Sequence, residues 1–102
     1  MSTNEAKKIV EKYASKLRDK KISFSVLYLF GSYAKGEARK WSDIDVAVFS
    51  DRKETDDFII ELGRVTRDVD LRIEPHIFSE NDLKTISTPF VEEILRTGIR
   101  VI

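Results

Sequence analysis

At 102 residues with 41% hydrophobic content, the chain can build one core and one domain, burying somewhat over ~60% of its unfolded surface. The absence of cysteine excludes a disulfide framework, a thiolate zinc site and a cysteine nucleophile, and a lone histidine, His76, excludes a histidine-rich metal cage. Eighteen basic residues balance eighteen acidic ones, which disfavours a broad basic face for nucleic acid. No apolar run approaches the ~20 residues needed to cross a bilayer, and residues 1–8 hold no apolar signal core. The expectation is a soluble, cytoplasmic domain with no membrane partner, whose chemistry rests on carboxylates and hydroxyls.

Ser2-Thr3-Asn4-Glu5 reads as a capping box opening a helix whose apolar stripe is Ile9, Val10, Tyr13, Ala14 and Leu17. Lys16, Arg18, Lys20 and Lys21 gather at its negative end. Residues 24–30 predict a largely buried strand, closed by a tight turn at Gly31-Ser32. After a charged stretch, residues 44–49 predict a second strand. Its alternation puts Ile44, Val46 and Val48 on one face and Asp45, Ala47 and Phe49 on the other. Phe58, Ile59, Leu62 and Val65 mark a helix starting near Thr55 or Asp56. Residues 69–78 predict a third strand, which Pro75 assigns to an edge or a bend. Ser79 opens a short helix, and Thr88-Pro89 starts a last one carrying Phe90, Val91, Ile94 and Leu95. Gly98 takes the C′ position, and residues 99–102 form a final short strand. This order predicts an α/β or α+β fold, a single domain over residues 1–102 in which helices flank a small mixed sheet.

Two features carry chemistry. Glycine after a buried strand lets the chain turn sharply and a ligand approach the backbone, and a helix opening at Ser32 offers free N–H groups to a phosphate. Taken alone, Gly-Ser is more often a plain turn. The second feature is Asp43-Ile44-Asp45, whose carboxylates, two residues apart on a strand, face one way about 6.6 Å apart. They repel unless a cation or an arginine lies between them. Oxygen donors without Cys or His select hard cations, chiefly Mg²⁺ or Mn²⁺. The competing reading makes Asp43 a turn cap and Asp45 an ordinary strand residue. Asp70, Arg72 and Glu74 alternate along the third strand, so pairing it beside the second brings Asp70 or Glu74 to the first two carboxylates.

The run Gly31-Ser32-Tyr33-Ala34-Lys35-Gly36-Glu37-Ala38, followed by Ser42-Asp43-Ile44-Asp45-Val46, resembles the signature of minimal nucleotidyltransferases in the DNA polymerase β-like superfamily. Val69-Asp70-Leu71-Arg72-Ile73 resembles the strand that carries their third carboxylate, with Glu74 as a substitute. The resemblance spans nearly the whole chain. It implies transfer of a nucleoside monophosphate, AMP from ATP or its equivalent from another triphosphate, to a protein or other hydroxyl acceptor with release of pyrophosphate. Gly31 and Ser32 then hold the β- and γ-phosphates. Asp43 and Asp45 bind the Mg²⁺ or Mn²⁺ that escorts the triphosphate. Asp70 completes a second metal position and serves as general base. The resemblance also implies a partner, either a small helical HEPN-type protein in a toxin–antitoxin pair or a second copy of the chain. The alternative is a non-catalytic protein that keeps the fold and inhibits its partner by contact. A nucleic-acid-binding module ranks third.

The remaining candidates divide between site and scaffold. Lys35, Arg39 and Lys40 read as a solvated loop rather than as phosphate ligands, and Trp41 reads equally as a stacking or an interface residue. Tyr33 is expected to line the pocket, Tyr28 to be core, and His76 to be structural rather than a proton shuttle.

Overall fold

The computed structural model describes residues 1–102, and its helices open on the caps their sequences supply. Ser2 Oγ accepts the Glu5 N–H (3.1 Å) and Glu5 Oε1 accepts the Ser2 N–H (3.0 Å), which starts α1 (Thr3–Asp19). Gly31 precedes a single turn, α2 (Ser32–Lys35). Thr55 caps α3 (Asp56–Val69). Ser79 and Asp82 form a second capping box at α4 (Glu80–Thr85), and Thr88 caps α5 (Pro89–Thr97) with Pro89 in its first turn.

Strands β1 (Val26–Phe30), β2 (Ile44–Ser50), β3 (Ile73–Ser79) and β4 (Ile99–Arg100) form one sheet in the order β3-β2-β1-β4. β1 runs antiparallel to β2 and β4, while β2 and β3 are parallel and joined through α3. The sheet is therefore mixed and flanked by helices, as the order of elements predicts. Strand alternation divides the apolar residues between two cores. Ile44, Val46 and Val48 pack with Leu27, Leu29 and the stripes of α1 and α3. Ala47 and Phe49 pack with Val26, Phe30 and the Val91 and Ile94 of α5. No helix is long and apolar enough to cross a membrane.

Two local readings change. Residues 69–72 are not strand: the stripe Phe58, Leu62, Val65 continues at helical spacing to Val69, which packs on the core, so α3 runs to that residue and β3 begins only at Ile73. Gly98 ends α5 with φ −79°, outside the left-handed region of a C′ glycine. It is glycine for a different reason, because a methyl group there would overlap the carbonyl oxygen of Ile94.

The α1–α3 interface is locked by one buried polar chain. Tyr13 donates to the carbonyl of Leu62 (3.3 Å) and accepts from Thr66 Oγ1 (3.2 Å). Burial pushes the Tyr13 phenol up to about 12 from its ordinary value of 10.0. Folding thus favours the protonated phenol. Its contribution is complete below pH 10 and is lost as the pH rises through about 12, an effect on the order of 2 kcal/mol. Urea denaturation between pH 9 and 12 should show that loss in the native chain and a flatter profile in Tyr13→Phe. Equal slopes would refute the linkage.

Candidate active site

The site forms where β1 ends and β2 and β3 begin. Register places Phe30 opposite Asp45 and Asp45 opposite Glu74, so one side chain from each strand meets at the same level of the sheet. Because alternate residues share a face, Glu74 and His76 lie on the same side of β3, and His76 pairs with the small Ala47 of β2. Asp45 Oδ1 lies 3.4 Å from His76 Nε2, and Glu74 Oε1 lies 3.9 Å from that nitrogen. One donor atom from each of Asp45, Glu74 and His76 falls within 4.8 Å of the others.

Asp43 joins from the loop before β2, within hydrogen-bond reach of Glu74. That second carboxylate, aided by partial desolvation, raises Glu74 above its ordinary range. Asp45 is raised chiefly by its burial, which the contact with His76 only partly offsets. The two differ in access. The side chain of Asp45 is 25% exposed and that of Glu74 is 54% exposed, so Asp45 forms the floor and Glu74 the rim.

Gly31 closes the floor. Its φ of +76° and ψ of −151° belong to a region that only glycine adopts readily, and a β-carbon there would overlap Asp45 Oδ2. The missing side chain thus leaves a cradle directly over the half-buried carboxylate. Ser32, at the head of α2, is half-buried, and its hydroxyl makes no hydrogen bond within the chain. The first N–H groups of that turn have no partner inside it. Carboxylates that raise one another at the mouth of such a cradle need positive charge, and the donor set, mostly oxygen with one imidazole nitrogen, fits a divalent cation.

Not every residue singled out in the sequence reaches this place. Asp70 is the C-cap of α3, and both its oxygens are held by Arg72, which donates from Nε (2.9 Å), Nη2 (2.7 Å) and its backbone N–H (2.9 Å). The guanidinium holds the Asp70 carboxyl below the usual carboxylate range. The charge of Glu5 adds to the field on Arg72, which places the pair on the α1 side. The carboxylate that the structure brings to Asp43 and Asp45 is Glu74. Tyr33 is buried in the α1 core rather than lining the cleft, with its carbonyl accepting from Thr3 Oγ1 (2.6 Å). Lys35 pairs with Glu93 (3.1 Å) on the surface, and Trp41 stands 85% exposed beside Lys40. His76, read from sequence as scaffold, stands among the carboxylates. Its signal was the two-residue step from Glu74.

A family model described as polymerase beta, nucleotidyltransferase, matches residues 7–102. A candidate protein adenylyltransferase of Methanocaldococcus jannaschii is 35% identical over 77 residues, which are 72% of this chain and 74% of that protein. Among solved structures, a toxin–antitoxin complex with AMP-PNP is similar with a TM-score of 0.63 and 26% identity, covering 90% of this chain and 72% of the other. The complex of a tri-AMPylated HEPN toxin from Shewanella oneidensis with its MNT antitoxin shares the fold (TM-score 0.56, 20% identity, 98% and 71% covered).

Proposed function

Because the chain belongs to the polymerase β nucleotidyltransferase family, we propose that it transfers AMP from ATP to a hydroxyl of a partner protein, as the antitoxin of a toxin–antitoxin pair. One observation carries the catalytic reading: Asp43, Asp45 and Glu74 converge beside the cradle that Gly31 leaves open. AMP-PNP in the 26%-identical complex supports an adenosine triphosphate donor, and the toxin in that complex supports a protein partner. The HEPN character of that partner follows from the resemblance to minimal nucleotidyltransferases.

The residues divide the work by position. Gly31 lets the phosphates approach the backbone, and the free Ser32 hydroxyl and the N–H groups of α2 bind the β- and γ-phosphates. Asp43, Asp45 and Glu74 would hold Mg²⁺ or Mn²⁺. When bound, the cation neutralises charge on the triphosphate and lowers the pKa of the acceptor hydroxyl. Asp45, on the floor beside Gly31, would hold the cation and, through it, set the position of the triphosphate relative to that cradle. Glu74, on the rim, would take the acceptor's proton on the carboxylate oxygen not engaged with the cation, as the new phosphoester bond forms and pyrophosphate leaves. Asp70 takes no part, since Arg72 engages both its oxygens.

Incubation of the chain with α-labelled ATP, Mg²⁺ or Mn²⁺ and the protein encoded beside it should give a labelled partner, and Asp45→Asn should give none. Absence of label with all four nucleoside triphosphates would overturn the transfer reading. If the Asp45→Asn chain still neutralised that partner in cells, inhibition would be by contact alone.

A further inference from the structure

Building on the nucleotidyl-transfer reading, we infer that His76 is a nitrogen ligand of the cation site, which is thereby tuned to a first-row transition ion such as Mn²⁺ rather than to Mg²⁺. The sequence places no histidine in the constellation, and an all-oxygen set would suit Mg²⁺. Folding changes the donor set by bringing β3 beside β2 in parallel register.

Three features assign His76 to the ion. Its ring is fixed by edge contacts with Phe30 (5.1 Å between centroids, 67° between planes) and Phe90 (6.3 Å, 87°), so Nε2 is directed without help from a hydrogen bond at the other nitrogen. Ala47, its partner across the strand pair, is too small to fill the space over the sheet. The spacing is also that of donors around an ion. A charge-assisted bond from an imidazole to a carboxylate closes to about 2.7–2.9 Å, whereas Nε2 stands 3.4 Å from Asp45 and 3.9 Å from Glu74. Donors about 2.1 Å from a common ion lie roughly 3 Å apart when adjacent and roughly 4.2 Å apart when opposite. The 3.4 Å and 3.9 Å separations fall between those two spacings, so the three groups can close on one ion with small side-chain movements. Imidazole nitrogen adds little to Mg²⁺ binding but strengthens binding of first-row transition ions, while the carboxylates keep the site hard enough for Mn²⁺.

Because His76 is the single histidine in the chain, feeding [¹⁵N]histidine labels one residue. Mn²⁺ is added to the chain in the presence of AMP-PNP, and pulsed EPR is recorded on unlabelled and labelled protein. The expected result is a directly coordinated ¹⁴N modulation that changes to the ¹⁵N pattern on labelling and disappears in His76→Ala. Direct titration should show that this variant loses about tenfold in Mn²⁺ affinity and less than about threefold in Mg²⁺ affinity. Circular dichroism confirms that it is folded. Mn²⁺ bound with no histidine coupling, or equal losses for both ions, would overturn the assignment while leaving the transfer reading intact. Failure of either ion to bind in the presence of AMP-PNP would overturn both.

Discussion

Glu74→Gln should reduce nucleotidyl transfer by about a hundred- to a thousandfold, whereas Asp70→Asn should leave it within about twofold. The two side chains are four residues apart in the sequence, and their surroundings separate them. Glu74 is opposite Asp45 in the β2–β3 register, within reach of Asp43, and exposed at the rim. Asp70 caps α3, and a guanidinium occupies both its oxygens. Stability should move in the opposite sense. Asp70→Asn removes a two-pronged pair whose arginine is half exposed, a loss of about 1 kcal/mol or less. Because the folded chain depresses the Asp70 pKa, that contribution is present above its ordinary value of 3.8 and is lost as the pH falls through the folded value. Glu74→Gln removes one of two mutually repelling carboxylates and should leave the thermal midpoint unchanged or raised. Steady-state label transfer and thermal melts on the same preparations test both halves. An inactive Asp70→Asn beside an active Glu74→Gln would place the third carboxylate at Asp70 and remove Glu74 from the site.

The contrast between those residues also shows what is legible in a sequence of this kind. Helix starts are local events: a Ser, Thr or capping-box pair satisfies the first N–H groups within one turn, so Ser2, Thr55, Ser79 and Thr88 are readable without tertiary information. The faces of β2 are readable for the same reason, since alternation is fixed by the pleat. The end of α3 is not local. Val69-Asp70-Leu71-Arg72-Ile73 alternates as a strand would, but Val69 also falls on the stripe of the preceding helix, and packing against the α1 core decides between them. That decision moves Asp70 out of the sheet and leaves Glu74 as its first carboxylate. His76 was hidden in a different way. Its place among the carboxylates depends on the parallel register of two strands separated by a helix, and no single segment encodes a register. Tyr33 went the other way. Its position in the Gly-Ser run suggested the pocket, but one residue of helix rotation beyond Ser32 turns its ring into the core.

Gly31→Ala should cost about 2–4 kcal/mol, lowering the thermal midpoint by roughly 10–20 °C, and should also reduce transfer strongly. Two causes act together. At φ +76° and ψ −151° any L-residue is strained, and the new methyl group meets the Asp45 carboxylate, with Cγ only 3.3 Å away. Two other glycines separate these causes. Gly36 shares the positive φ (+71°) but has nothing within 4 Å of a β-carbon, so Gly36→Ala should cost about 1 kcal/mol, the backbone component alone. Gly98 has an ordinary φ of −79°, so crowding, chiefly against the Ile94 carbonyl and also against the Leu29 carbonyl (3.1 Å) and the Tyr28 ring (3.2 Å), is the whole of its penalty. At Gly31 the crowding component can be isolated by shortening the side chain it meets. Asp45→Ala removes the overlapping carboxylate, so adding it to Gly31→Ala should recover stability, with a coupling of more than about 1 kcal/mol between the two sites. Urea unfolding of the two single variants and the double variant measures that coupling. Additivity within about 0.5 kcal/mol would mean that Gly31 is required by its backbone alone and that the cradle over Asp45 has no energetic reality. A large coupling would tie the glycine of the turn to the half-buried carboxylate in one cycle, since the residue that leaves the cradle open also sets how closely Asp45 can lie beneath it.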